Sequence, residues 1–173
     1  MLTDIKLHDA LKEIMGGINN VKPIYLDGEC LENIELGQSN GHIIMAIDDG
    51  NTNYTYQYSI KDTDGAEEII RGLINDIYQK DILPRKGEIK KLKKQLNRQV
   101  ERVYRWQDKL NVMKKNSQVY DLEQRKAYIS KLAEINESIY FKYKKLDIIR
   151  KDLHLYKIFK NILFVVIKEL KAA

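Results

Sequence analysis

No glycine follows Gly87 and no proline follows Pro84, so the last 86 of 173 residues lack both of the strongest helix breakers. This absence predicts an almost wholly helical second half. Cysteine is nearly missing as well. Cys30 stands alone, which excludes a disulfide framework or a cysteine-rich zinc site within one chain. Long apolar runs are also lacking. The most apolar stretch, Ile162 to Ile167, is far too short to span a bilayer. The opening MLTDIKLHDALKEIMGG carries acids and has no continuous apolar core, unlike a signal peptide. The expectation is a cytoplasmic protein without membrane association.

Catalytic patterns are equally scarce. His8, His42 and His154 are scattered, with no HxxxH or HxH spacing, and no phosphate-binding or dinucleotide glycine pattern occurs. GQSNG at 37–41 contains a serine but is no nucleophile elbow. Asp48-Asp49-Gly50 suits a hairpin turn, where Asp and Gly are favoured for structural reasons. A metal site from Asp27, Glu29, Asp48 and Asp49 would require two hairpin ends to converge. The expectation is a protein without catalytic residues, metal or cofactor, and not an enzyme.

What is abundant is charge, unevenly divided. Residues 1–80 hold 6 Lys/Arg and 14 Asp/Glu, a net of −8; residues 81–173 hold 24 and 11, a net of +13. Such asymmetry fits a basic half for nucleic acid, pairing between the halves, or head-to-tail pairing between chains. Apolar residues make up 43% of the chain, enough for a packed core.

The acidic half, 1–84, reads as an α+β domain. Thr3 can cap a helix over 4–15, with Leu7, Leu11, Ile14 and Ile18 at helical spacing and Gly16-Gly17 as its stop. Pro23 marks entry to extended chain. VKPIYL, Asp27-Gly28 and ECLENIEL then read as strand, turn, strand. GQSNG reads as a loop, and HIIMAI (42–47) with NYTYQYSI (53–60) as a second hairpin. Both faces of 42–47 are apolar, which predicts a central strand. Asp62 or Asp64 can cap a following helix whose apolar stripe is Ile70, Leu73, Ile74, Ile77 and Tyr78.

In NYTYQYS, Tyr54, Tyr56 and Tyr58 alternate with polar residues and so share one strand face. The row reads as core, with its hydroxyls at the margin. As an exposed row it would be a protein interface, since Tyr supplies large contact area at low entropy cost. A base-stacking platform is disfavoured, because Asp48, Asp49, Asp62 and Asp64 against the single Lys61 would repel phosphate.

The basic half, 85–173, reads as a helical hairpin. Ile89, Leu96, Val103 and Leu110 recur every seven residues, with Leu92, Gln99, Trp106 and Met113 three residues after each, a coiled-coil seam. A second series runs Leu132, Ile135, Ile139, Lys142, Leu146, Ile149, Leu153, Tyr156, Lys160, Leu163, Ile167 and Leu170. The two are out of phase across KKNSQVYD (114–121), which places the hairpin turn there, with Asp121 or Ser117 capping the returning helix. YKIFKNILFVVIKEL (156–170) is apolar around most of its circumference and should be buried. It is expected to pack back on the first domain or to form a dimer interface. The fold class is α+β: a small antiparallel sheet with flanking helices, plus a long antiparallel coiled-coil hairpin.

The first arm carries the charge. Residues 85–115 hold 12 Lys/Arg against 3 Asp/Glu. Lys91, Arg98 and Arg105 recur every seven residues, and Lys90, Lys94, Arg102 and Lys109 lie close by. A one-sided basic stripe is an electrostatic footprint for a phosphate backbone, without base-reading specificity. The expected function is therefore non-catalytic binding to a nucleic-acid or nucleoprotein target through these seven residues. Size and divided charge fit a phage or mobile-element inhibitor of a host nuclease or defence complex, in the anti-CRISPR manner, although no motif carries that fit. The alternative is an oligomeric, for example homodimeric, coiled-coil adaptor that binds a protein partner, with Tyr54, Tyr56, Tyr58 and Trp106 as its interface residues.

Overall fold

A computed structural model describes residues 4–25, 33–62, 64–115 and 122–172. The chain divides into two compact units, residues 1–84 with 153–173, and residues 85–152. The architecture is α+β, with one three-stranded antiparallel sheet among helices.

In the first unit, helix α1 spans Asp4–Tyr25. Gly16-Gly17 does not stop it, and residues 21–25, expected as extended chain around Pro23, are helical. The apolar spacing explains this. Ile14, Ile18 and Val21 continue one buried face past the glycines. Gly17 serves a close approach instead: a Cβ there would lie 2.7 Å from Val166 Cγ1. The expected Asp27-Gly28 turn lies outside the described residues.

The sheet consists of β1 (Asn33–Ser39), β2 (His42–Asp48) and β3 (Asn53–Ser59), in that spatial order, with β2 central. GQSNG is not a loop. β1 runs through Gln38 and Ser39, and Asn40-Gly41 alone makes the turn. Their φ values of 50° and 78° are both positive, as a two-residue type I′ hairpin demands. The β2–β3 turn is held by Asp49, whose Oδ1 accepts from the backbone N–H of Asn51 and Thr52, and by Asp48, which accepts from Gly50 N–H.

Helix α2 (Ala66–Ile77) is capped by Gly65, not by Asp62 or Asp64. Glu68 accepts from the Gly65 N–H, while Asp64 is buried and accepts from Lys61 N–H. α2 leads into a π-helical turn, Tyr78–Ile82, and then α3 (Leu83–Lys115). Pro84 explains the widening. It has no N–H to donate to the carbonyl four residues back, and its ring crowds that carbonyl. The Leu83 N–H reaches back to the Tyr78 carbonyl, five residues away. α2 lies against β3, where Asp76 accepts from the Gln57 N–H and Lys80 Nζ donates to the Thr55 carbonyl.

Helix α4 spans Leu122–Ala172. Its 153–172 portion belongs to the first unit and is buried on several sides through Phe159, Ile162, Leu163, Val166 and Ile167. Phe159 meets Tyr54 and Tyr56, with ring centroids 5.3 and 6.4 Å apart. Each such fully buried side chain contributes about 1.5–3 kcal/mol. Among the described residues no helix is long and apolar enough to cross a membrane.

In the second unit, α3 buries Leu92 and Leu96 against Leu146 and Ile149 of α4, with Ile89 and Ile139 packed beside them. Gln99 Nε2 donates to Ser138 Oγ at 2.9 Å, and the Trp106 ring lies 4.7 Å from that of Tyr128. Contacts thus step down α4 as they step up α3. The turn expected at 114–121, with its caps Ser117 and Asp121, falls largely outside the described residues.

Two helical glycines make opposite predictions. A Cβ at Gly72 would overlap the Tyr58 ring, whereas nothing lies within 4 Å of one at Gly16. Gly72→Ala should destabilise by about 1–3 kcal/mol through overpacking. Gly16→Ala should stabilise by about 0.5–1 kcal/mol through helix propensity. Urea midpoints measured side by side check the pair, and a gain at Gly72 would contradict the packing described.

Candidate nucleic-acid interface

Two groups of residues singled out by the sequence fall in different places. The tyrosine row is core. Tyr56 is 1% exposed, and Tyr54 and Tyr58 are half-buried. As an exposed protein interface the row is therefore corrected: it faces Phe159, Tyr156 and Gly72 of its own unit. Each phenol donates to a carboxylate: Tyr54 to Asp49 at 3.3 Å, Tyr56 to Asp81 at 2.6 Å and Tyr58 to Asp64 at 2.8 Å. The turn acids are thus occupied in structural bonds. Asp49 is held below the usual carboxylate range, chiefly by the backbone N–H groups of Thr52 and Asn51. Among the described residues no cluster of His, Cys, Asp and Glu could hold a metal.

The basic residues are on the surface of the second unit. That unit carries 20 Lys and Arg against 9 Asp and Glu, a net of +11. Lys90, Lys91, Lys94, Arg98, Arg102, Arg105 and Lys109 are all exposed. At ~100° per residue, Lys91, Arg98, Arg102, Arg105 and Lys109 fall within about 60° of one another. The heptad explains their placement: with Leu92, Leu96, Gln99 and Trp106 turned toward α4, positions one or two turns away on the flank are left to solvent. Of the seven cations, one is in an ion pair among the described residues, Arg105 with Glu101 at 3.9 Å, both well exposed. Such a pair contributes little. The stripe is thus a run of like charges whose counterions are mobile.

Beside the stripe lies an open groove of about 430 Å³ lined by Arg102, Arg105, Trp106, Asp108 and Lys109. A second, of about 330 Å³, shares Asp108 and Lys109 and adds Val112, Met113 and Tyr128. Trp106 is half-buried: Tyr128 covers it on one side, and Lys109 Nζ sits 4.7 Å from its ring centroid. Cation and ring attract through the ring quadrupole. The chain therefore brings Arg102, Arg105, Trp106 and Lys109 together, and Lys90 and Lys94 lie farther along α3. Sequence reasoning missed Tyr128 as a groove residue. Its signal was present, since it stands four residues before Leu132, at the spacing of the α4 repeat.

No family model, curated protein or solved structure matches this chain. The reading of the interface therefore stands on its geometry and charge.

The phenol bonds predict alkaline lability. Burial, then the Asp64 hydrogen bond, pushes the Tyr58 phenol up to about 12. Burial and Asp81 raise Tyr56 further. A folded value above the unfolded value of 10.0 means that the folded state holds its protons longer. The contribution is complete below pH 10 and is lost as pH rises through 12. The urea midpoint should fall across that window, and Tyr58→Phe should flatten the fall. A midpoint independent of pH there would remove the assignment.

Proposed function

We propose that the protein is a non-catalytic nucleic-acid-binding protein whose second unit, an antiparallel coiled-coil hairpin, holds a phosphate backbone along α3. The observation that carries this is the exposed stripe of Lys91, Arg98, Arg102, Arg105 and Lys109, with one weak ion pair among them. A stripe with few acids beside it gains most by releasing the counterions condensed on a nucleic acid. Gln99–Ser138 and Trp106–Tyr128 support the hairpin, because they give its two helices a fixed register around the stripe. The same surface would let the protein occupy the nucleic-acid path of a nuclease complex, as a phage or mobile-element inhibitor would.

A second reading, a coiled-coil adaptor for a protein partner, is favoured by the apolar side chains that the second unit leaves in water. Tyr104 is 64% and Ile129 54% exposed. It predicts a discrete oligomer or a protein partner, and no affinity for nucleic acid.

Trp106 is the chain's one tryptophan and sits in the groove, so its fluorescence reports on a ligand there. Titration with labelled oligonucleotides at rising salt should show log K falling linearly with log salt, with a slope of about −0.9 per phosphate contacted on duplex and −0.7 on single strands. Changing Arg98, Arg102 and Arg105 together to Gln should weaken binding at least tenfold and reduce that slope by about 2–3, with helicity unchanged. Equal binding by this variant would sink the proposal.

A further inference from the structure

The second unit exposes a patch that the seam does not explain. On α4, Tyr140, Phe141 and Ile148 are 54%, 58% and 61% exposed. None belongs to the buried series of Ile135, Ile139, Leu146 and Ile149. Exposing large apolar groups on a short stretch of helix costs solubility, so their clustering points to a ligand. The cluster carries a small excess of positive charge, Lys142, Lys144 and Lys145 against Glu137 and Asp147. Lys144 Nζ lies 4.6 Å from the Tyr140 ring centroid, the Tyr140 and Phe141 rings meet edge-on at 5.6 Å, and Lys145 is exposed.

Its position relative to the α3 stripe follows from one hydrogen bond. Gln99 reaches Ser138, which marks one side of the helix pair. Phe141 and Lys145 follow Ser138 by three and seven residues, and Ile148 follows Phe141 by seven, so all three lie toward that side of α4. Arg102 follows Gln99 by three on α3, and Arg98 and Lys91 adjoin it in the stripe. The order of contacts puts Phe141 at the level of Leu96, between Lys91 and Arg102. The Phe141 ring, Ile148 and phosphate-seeking cations therefore share one side of the second unit, with the Tyr140 ring adjoining Phe141.

From this juxtaposition we infer that the ligand is a single-stranded nucleic acid, with bases stacked on Phe141 and the adjoining Tyr140 while the backbone follows Lys91, Arg98, Arg102 and Lys145. The inference rests on the nucleic-acid reading above and narrows it. A duplex hides its base faces and has no use for exposed rings, whereas an unpaired base has a π-face free to stack. Charge complementarity selects nucleic acid over an apolar protein surface, since Lys144 and Lys145 would be left unpaired against the latter.

The test uses the full chain with fluorescein-labelled dT20, rU20 and a 20-base-pair duplex at one low salt concentration. Wild type should bind dT20 and rU20 at least tenfold more tightly than the duplex. Phe141→Ala and Tyr140→Ala should each weaken dT20 binding about 5- to 150-fold, the 1–3 kcal/mol of a stacked base. Their duplex binding and helicity should stay unchanged, and because both side chains are exposed the variants should fold. Equal or tighter binding to duplex than to dT20, or unaltered dT20 binding by Phe141→Ala, overturns the inference and leaves the backbone-binding proposal standing. Loss of all nucleic-acid binding by wild type overturns both. Wild-type dimerisation abolished by Phe141→Ala, with dT20 binding unaltered, assigns the patch to a second copy instead.

Discussion

Three phenols in one strand need three hydrogen-bond acceptors, and most of the first unit is arranged around that need. A buried hydroxyl without a partner costs about 1–3 kcal/mol, a large share of a small domain's stability. Asp49 comes from the β2–β3 turn, Asp64 from the residue before the α2 cap, and Asp81 from the π turn before Pro84. Each is therefore tied to the sheet by a tyrosine. The acidity of the N-terminal half follows in part from this. Asp48, Asp49, Asp64, Asp76, Asp81 and Glu68 all accept hydrogen bonds from the turn, the row, the edge strand or the α2 cap. These carboxylates hold the fold and are not free to imitate a phosphate chain.

Periodicity made much of this visible beforehand. The seven-residue recurrence from Ile89 to Leu110 names the side of α3 that is buried or half-buried, and alternation in NYTYQYS names the row that faces inward. The same seam leaves Lys91, Arg98 and Arg105 outside, so the basic stripe was legible together with the core. Breakers were what misled. Gly16-Gly17 read locally as a stop and Pro23 as entry to extended chain, yet one helix runs through all three. Propensity is worth about 1 kcal/mol for Gly and 3 for Pro, and tertiary packing of Ile14, Ile18 and Val21 outweighs the glycines. The π turn could not be read at all, because it arises from how Pro84 and the helix before it share their hydrogen bonds. Asn40-Gly41 was a missed hairpin signal, hidden inside an apparent loop of small polar residues. The patch of Tyr140 and Phe141 was missed because it lies off the periodic series, where scattered aromatics carry no pattern.

The two units use charge in opposite ways. In the first, carboxylates accept hydrogen bonds from within the unit, and Glu67 is held low by Lys171 and Arg71. In the second, Lys90, Lys91, Lys94, Arg98, Arg102, Arg105 and Lys109 of α3 are exposed, with one weak ion pair to an acid among the described residues. Charge engaged in internal bonds stabilises a fold. Charge left in water serves recognition, since its field reaches a ligand before contact and is screened over about 10 Å at 0.1 M salt.

The treatment of β3 has one more effect. Asp76 and Lys80 engage the Gln57 N–H and the Thr55 carbonyl, groups that the edge of the sheet would otherwise offer to a passing strand. Cross-β fibrils grow because every layer is templated on one side and a template on the other. A sheet whose β3 side is already engaged cannot be a template in both directions. Two side chains on a helix thereby turn a potential polymer unit into a chain terminator.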